Sequence, residues 1–454
     1  MKAPKVLFST HSAPTYIPPL TLSEQQIIVS PRYATSHNSL GRTVSINCSR
    51  QFDVCDLVGL LPESERPDLF VALLDSSMQC IPRNLIALTS RKVLVIADTH
   101  HGQAPISQLL QYCQAETYDR IAITHGPHHL HWFAEAGLSP VSLHLNLNVR
   151  DHLCEFQTKR RPYIQFIGQV GPSHPRRSAL LDQMTQAGIP VMHALLAAQN
   201  AAVQFSRAQL SFNCSLNGDF NMRVFEVLAA GGCLMTDRLS AASGLDALLK
   251  DGRDLIIYDN ASDLIDKARF YLGNPALCLQ IAQQGHQRYI RNISEDMRRK
   301  RFLEFSMGDN QTASRMAQQD QRRDLRSLRR DSPSNFKQRL SAYEILQELQ
   351  RTELIDAVEL SPSLPSTFAE DVSDLVNLRI DKKMQTGSRV CGVIEDKELT
   401  GRLDLCTTAP LGYLLVVDAD DQLLESHPAL KRLGYQVLVQ MRAGDQRTWL
   451  LQAA

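Results

Sequence analysis

Along the N-terminal part of the chain, short apolar runs alternate with segments whose apolar positions recur at helical spacing. Lys5–Ser9 (KVLFS), Leu69–Leu74 (LFVALL) and Val93–Ala97 (VLVIA) predict strands buried on both faces. Ile121–Ile123 and Val141–Leu143 predict shorter strands, and Ile106–Cys113 and His129–Ala136 predict helices between them. Such alternation builds a parallel sheet covered by helices. After a polar break at Lys159–Pro162 the pattern restarts with a strand at Tyr163–Ile167, then Gly168, a loop and a helix over Arg177–Ala187. Strands at Cys233–Thr236 and Leu255–Tyr258 and helices at Ala261–Leu272 and Ala276–Arg291 complete a second unit. The expected class is α/β, with two Rossmann-like αβα domains at 1–158 and 159–305. A cleft is expected between them at the carboxyl ends of their strands.

From Met307 to Pro333 the composition turns to Arg, Gln, Asp and Ser, densest in RRDLRSLRRD. Residues 306–335 read as a basic polar linker, with binding to anionic lipid or nucleic acid as the sharper alternative. Residues 336–454 read as a smaller accessory α/β unit of unassigned role, with strands at Tyr413–Val417 and Val437–Gln440.

Composition narrows the function. The chain has 454 residues, of which 43% are hydrophobic and 21% charged, as in an ordinary soluble protein. Its net charge of zero gives no reason to expect a nucleic-acid partner. Ten cysteines without a Cys-x-x-Cys pair argue for free thiols in a reducing compartment. The apolar core of MKAPKVLFSTHSAP is too short for a signal peptide. No apolar run approaches the ~20 residues of a membrane span. These features point to a cytoplasmic enzyme and leave peripheral membrane contact open.

The most informative stretch is Ser215–Asp237, SLNGDFNMRVFEVLAAGGCLMTD. Asn217, Asp219 and Asn221 favour turns and helix N-caps. A helix follows over Met222–Ala230, ended by Gly231 and Gly232, and then a short strand. The loop and the helix N-terminus offer free N–H groups to an anion such as phosphate. Arg223 and Glu226, three apart, share one face. They suit either a nucleotide site, cation to phosphate and carboxylate to sugar, or a structural ion pair with each other.

The region from Tyr163 to about Ile293 resembles the nucleotide-sugar-binding half of GT-B glycosyltransferases, most closely the CgeB-like group and the family-four enzymes. The resemblance rests on FIGQVGPSHPRRSALL (Phe166–Leu181), on Arg-x-x-Glu-x-x-Ala-x-Gly before a strand ending in Thr-Asp, and on the segment from SGLDALL onward. It implies a GT-B fold and transfer of a sugar from a nucleoside-diphosphate sugar to an unidentified acceptor, with no metal and no other cofactor. It implies that Glu226 bonds the ribose hydroxyls and that Asn217–Asn221 face the diphosphate. Arg176 or Arg177 would neutralise phosphate, and Gly168 would let the backbone turn close to the ligand. Family-four retaining enzymes carry a further glutamate eight positions before Glu226. Here that position is Gly218, beside Asp219, which leaves the anomeric outcome open. A degenerate GT-B module that binds without catalysis is the alternative.

His11, just after the first strand, stands where some inverting GT-B enzymes hold a general base, and histidine titrates near neutrality. Asp98 is the other candidate base; with His100 and His101 it follows a strand end and so borders the cleft. Histidines also crowd THGPHHLHW (Thr124–Trp132) and recur at His144. Their spacing fits no standard zinc site; the resemblance implies instead that Asp98, His100, His101 and the loop Thr124–Pro127 contact acceptor or donor sugar. DADD (Asp418–Asp421) reads as a turn after a strand in the accessory unit.

Overall fold

In the computed structural model the described residues are 3–12, 20–143, 151–152, 154–172, 174–312, 314–316, 333–352, 354–361, 364, 366–375, 379–381, 389–395, 413–419, 423–443 and 446–453. RRDLRSLRRD, His144 and, of DADD, Asp420 and Asp421 lie outside them.

The first domain contains β1 (Val6–Ser9), β2 (Gln26–Ser30), β3 (Ser36–His37), β4 (Thr43–Asn47), β5 (Gln51–Asp53), β6 (Leu69–Leu74), β7 (Ile81–Arg83), β8 (Arg91–Ile96), β9 (Arg120–Ile123) and β10 (Pro140–Ser142). Eight of these form one sheet in the order β10-β9-β8-β6-β1-β2-β4-β3. Every pairing in it is parallel except β3 with β4. β6 is buried at all six positions, as its unbroken apolar run demands.

The second domain holds β11 (Arg161–Ile167), β12 (Val191–Ala194), β13 (Ala208–Phe212), β14 (Leu234–Asp237) and β15 (Ile256–Tyr258), all parallel in the order β12-β11-β13-β14-β15. The expected α/β class with two Rossmann-like domains is thus present. β12 and β13 are absent from the sequence reading, and β11 starts inside the polar break. Polar residues hide the pattern there. Gln209 on β13 is buried and satisfied by the carbonyls of Tyr271 and Leu272, and Gln165 on β11 by those of Met192 and Phe166.

The chain then returns to the first domain. Helix Glu295–Met307 seats Phe302 and Phe305 in the core formed by Val6, Phe8, Val71 and Val93. Arg91 donates to the carbonyls of Ser306 and Gly308.

The C-terminal unit has β16 (Ala357–Leu360), β17 (Arg379–Asp381), β18 (Val390–Glu395), β19 (Tyr413–Ala419), β20 (Tyr435–Ala443) and β21 (Gln446–Ala453), ordered β17-β16-β18-β19-β21-β20 with an antiparallel end. Its long helix, Pro333–Arg351, joins a core continuous with the first domain: Leu340, Tyr343 and Leu346 cluster with Leu109, Ile123 and Trp132. Buried charges reinforce this junction. Arg339 lies 2.9 Å from Glu135 and 2.8 Å from Asp371, and His131 lies 3.2 Å from Asp371. Glu344 accepts hydrogen bonds from the Ile106 and Ser107 amides and the Ser107 hydroxyl at 2.7–2.8 Å.

Candidate functional site

The loop after β13 is held by its own carboxylates. Asp219 accepts from the amides of Leu216 and Asn217, and Gly218 sits at φ +72°. At the end of β14, Asp237 accepts from the Ser215 amide and hydroxyl and pairs with Arg176 at 2.8 Å. The charge of Arg176 is therefore already matched. Asn221 occupies the N-cap of helix Met222–Ala229 without a side-chain cap bond, donating instead to the Cys214 carbonyl. Both side-chain polar atoms of Asn217 are buried without a hydrogen-bond partner among the described residues, and so is the Asn221 Oδ1. At the other end of the helix Gly231 takes φ +72°, and a Cβ on Gly232 would stand 2.7 Å from Val227. The double glycine turns the chain and lets the returning strand lie against the helix.

Arg223 and Glu226 do not pair. Arg223 donates through Nε to the Ile167 carbonyl at 2.8 Å and through Nη1 to Asn213 Oδ1 at 2.9 Å, and its guanidinium lies 4.5 Å from the Phe166 ring centre. Gly168, at φ +149°, is glycine because a Cβ would collide with this guanidinium. Buried Arg177 lies over the same ring at 5.5 Å and donates to the carbonyls of Gln169 and Cys214. All of these hydrogen-bond partners are neutral oxygens. Among the described residues, neither arginine has a carboxylate within ion-pairing distance. Burial, and then the charge of Arg177, push Arg223 down to about 10. Glu226 is half-buried, and its side chain makes no hydrogen bond or ion pair among the described residues. Burial raises its carboxyl above the usual range against the pull of Arg223 and His152.

The neighbouring helix Pro175–Gln186 starts at His174, which gives it no side-chain cap. Burial, followed by the charges of Arg177, Arg223 and Arg351, pushes His174 down to about 4, so its imidazole is neutral at physiological pH. A pocket opens here. His174, Arg176, Arg177 and Ser215 line one side, and Gln350 and Arg351, from the end of helix Pro333–Arg351, line another.

In the first domain His11 lies 3.2 Å from Asp75, a residue that the sequence reading missed. The signal was in the topology. β1 and β6 are parallel neighbours with Ser9 opposite Ala72, so residues just past each end come together. Asp75 is buried and also accepts from the Ser77 amide. Asp98 lies 3.7 Å from His101 and 3.9 Å from His125. Burial pushes its carboxyl up, but His125, His101 and His100 outweigh that and hold it well below the usual range. Burial lowers His100, whereas the bond to Asp98 raises His101. Potential ligand atoms of Asp98, His100 and His101 lie within 4.8 Å of one another. His129, by contrast, belongs to the packing: its ring nitrogens lie 2.6 Å from Thr99 Oγ1 and 2.7 Å from the Tyr343 hydroxyl. The two domains meet where the Phe220 amide donates to the His125 carbonyl at 2.8 Å. That contact sets the Asn217–Asn221 loop beside the strand ends that carry Asp98.

The fold and these groups define an α/β protein whose parallel sheets meet at a cation-lined junction. Residues 177–304 match the family described as Glycosyl transferase-like, so this part of the second domain is similar to glycosyltransferases. No curated protein matches the chain in sequence. Similar solved structures include sucrose-phosphate synthase (tll1590) from Thermosynechococcus elongatus, at 10% identity and TM-score 0.47 over 66% of this chain and 97% of that one. Anabaena Alr3699/HepE in complex with UDP-glucose has 10% identity and TM-score 0.45, over 66% and 98%. A glycosyltransferase from Rickettsia africae ESF-5 has 10% identity and TM-score 0.46, over 67% and 98%. No helix among the described residues is long and apolar enough to cross a membrane.

Proposed function

We propose that the chain is a GT-B glycosyltransferase, of the CgeB-like kind, that moves a sugar from a nucleoside-diphosphate sugar to an acceptor. One observation carries this reading: Arg177 and Arg223 converge on Phe166 with only neutral hydrogen-bond partners. A cation removed from water without a counter-charge is costly. A diphosphate is the anion that suits two guanidinium groups beside the N-termini of two helices. Its charge grows as the glycosidic bond breaks, so the same groups stabilise the transition state without a divalent ion. Glu226, unpaired and half-buried, is free to accept from the ribose hydroxyls.

For the acceptor we assign His11 as general base, with Asp75 orienting its ring and balancing the imidazolium that forms. Asp98 is the weaker candidate, because a carboxylate held below its usual range is a poor proton acceptor. Direct attack assisted by His11 inverts the anomeric carbon. Saturation-transfer NMR against a panel of nucleoside diphosphates and nucleotide sugars tests the reading. Transfer to the ribose and base protons of one nucleotide is the expected result; silence across the panel sinks it.

A further inference from the structure

The helix Pro333–Arg351 ends in the pocket that the second domain opens beside Arg177. Nothing in the two-domain scheme requires a third unit to reach that point. The helix is nevertheless fixed on the first domain along its length: through Arg339 to Glu135, through Tyr343 to His129, and through Glu344 to the amides of Ile106 and Ser107. Its last turn is thus rigidly aimed. Arg351 engages Glu348 through Nε at 2.9 Å and Nη2 at 2.6 Å. Those two bonds hold the guanidinium plane and leave Nη1 with no partner among the described residues. The side chain is 24% exposed, open enough to meet a ligand. Its charge is felt by His174 in the second domain and by His100 and His101 in the first.

We propose that the C-terminal unit completes the donor site: Arg351 contacts the outer phosphate of the bound nucleoside diphosphate, opposite Arg177, and makes the pocket selective for diphosphates over monophosphates. The proposal rests on the nucleotide-sugar reading above. It gives the unit at 336–454 a role in substrate recognition. An anion gripped by Arg177 on the second domain and by Arg351 on a helix anchored to the first also ties the two domains together across the site. Neighbouring Gln350 lines the same pocket.

The test is calorimetry on the full chain with UDP, GDP, ADP and dTDP and the matching monophosphates, for wild type, Arg351→Gln, Arg351→Lys and Arg177→Gln. Arg351→Gln is expected to weaken the diphosphate that binds by about tenfold, the size of one lost charge-assisted hydrogen bond. It should leave the monophosphate within about twofold and the melting temperature unchanged, and Arg351→Lys should recover part of the loss. Diphosphate binding at wild-type strength in Arg351→Gln, with binding lost in Arg177→Gln, overturns the role of Arg351 and leaves the nucleotide reading intact. Equal loss for mono- and diphosphate overturns the selectivity. No nucleotide binding to the wild type overturns both readings.

Discussion

Glu226→Gln separates a ligand-binding carboxylate from a structural one. The carboxylate has no ion pair, and burial raises its pKa, so the fold holds the neutral form more readily than the charged one. An acid whose folded pKa is raised contributes most to stability at low pH and loses that contribution as pH climbs from its ordinary value through the raised one. At neutral pH the charge is therefore a burden on the fold. Its removal should be neutral or stabilising, by at most about 1 kcal/mol because the group is only half-buried. Ligand binding should move the other way. A carboxylate accepting from ribose hydroxyls contributes about 1.5–3 kcal/mol, so the glutamine variant should bind nucleotide roughly 10- to 150-fold more weakly. Thermal unfolding and isothermal calorimetry on the same preparation read both effects. A variant that melts several degrees lower yet binds nucleotide normally would show that the carboxylate serves the fold and not the ribose.

Three further outcomes are expected. His11→Ala should slow turnover by about 10²–10⁴ with donor affinity unchanged, and Asp75→Asn should follow it in direction; wild-type rates in both would end the inverting scheme. Burial pushes Glu344 up to about 7 against three hydrogen bonds that pull it down. Its contribution to stability is therefore full below about pH 4.5 and falls as pH rises to 7, by on the order of 3 kcal/mol at most. Glu344→Gln should flatten that slope in denaturation curves taken across the range, and an unchanged slope contradicts the assignment. On the proposed scheme, in which guanidinium groups take the part of a divalent ion, turnover should survive excess EDTA; loss restored by manganese would return Asp98, His100 and His101 to consideration as metal ligands.

Much of the fold was legible because burial on both faces leaves an unbroken apolar run, as in β6. The helix Ala261–Leu272 was legible to the residue, with Asn260 capping it through the Asp263 amide. β13 was not, because buried Ser211 and buried, hydrogen-bonded Gln209 break the apolar run without breaking the strand, whereas β11 was legible despite Gln165. The candidate site was legible where its residues are close in sequence: Glu226 stands out as a carboxylate among apolar neighbours. It was hidden where residues meet only through folding. Asp75 needs the register of β1 against β6. Arg351 needs the docking of a helix whose buried face carries Arg339, Glu344 and Gln347, so that its polarity disguises its burial. The expected Arg223–Glu226 alternative failed for a local reason, since Arg223 turns toward Ile167 and Asn213 and leaves the carboxylate free.

If Arg177 and Arg223 are the diphosphate's cations, a structure of the chain with its preferred nucleoside diphosphate will show them at the phosphates. Phosphate oxygens are expected within hydrogen-bond distance of Arg177 and Arg223, with the ribose hydroxyls on Glu226. A nucleotide seated elsewhere, such as against Asp98, His100 and His101, with Arg177 and Arg223 still bonded only to neutral oxygens, would contradict that role.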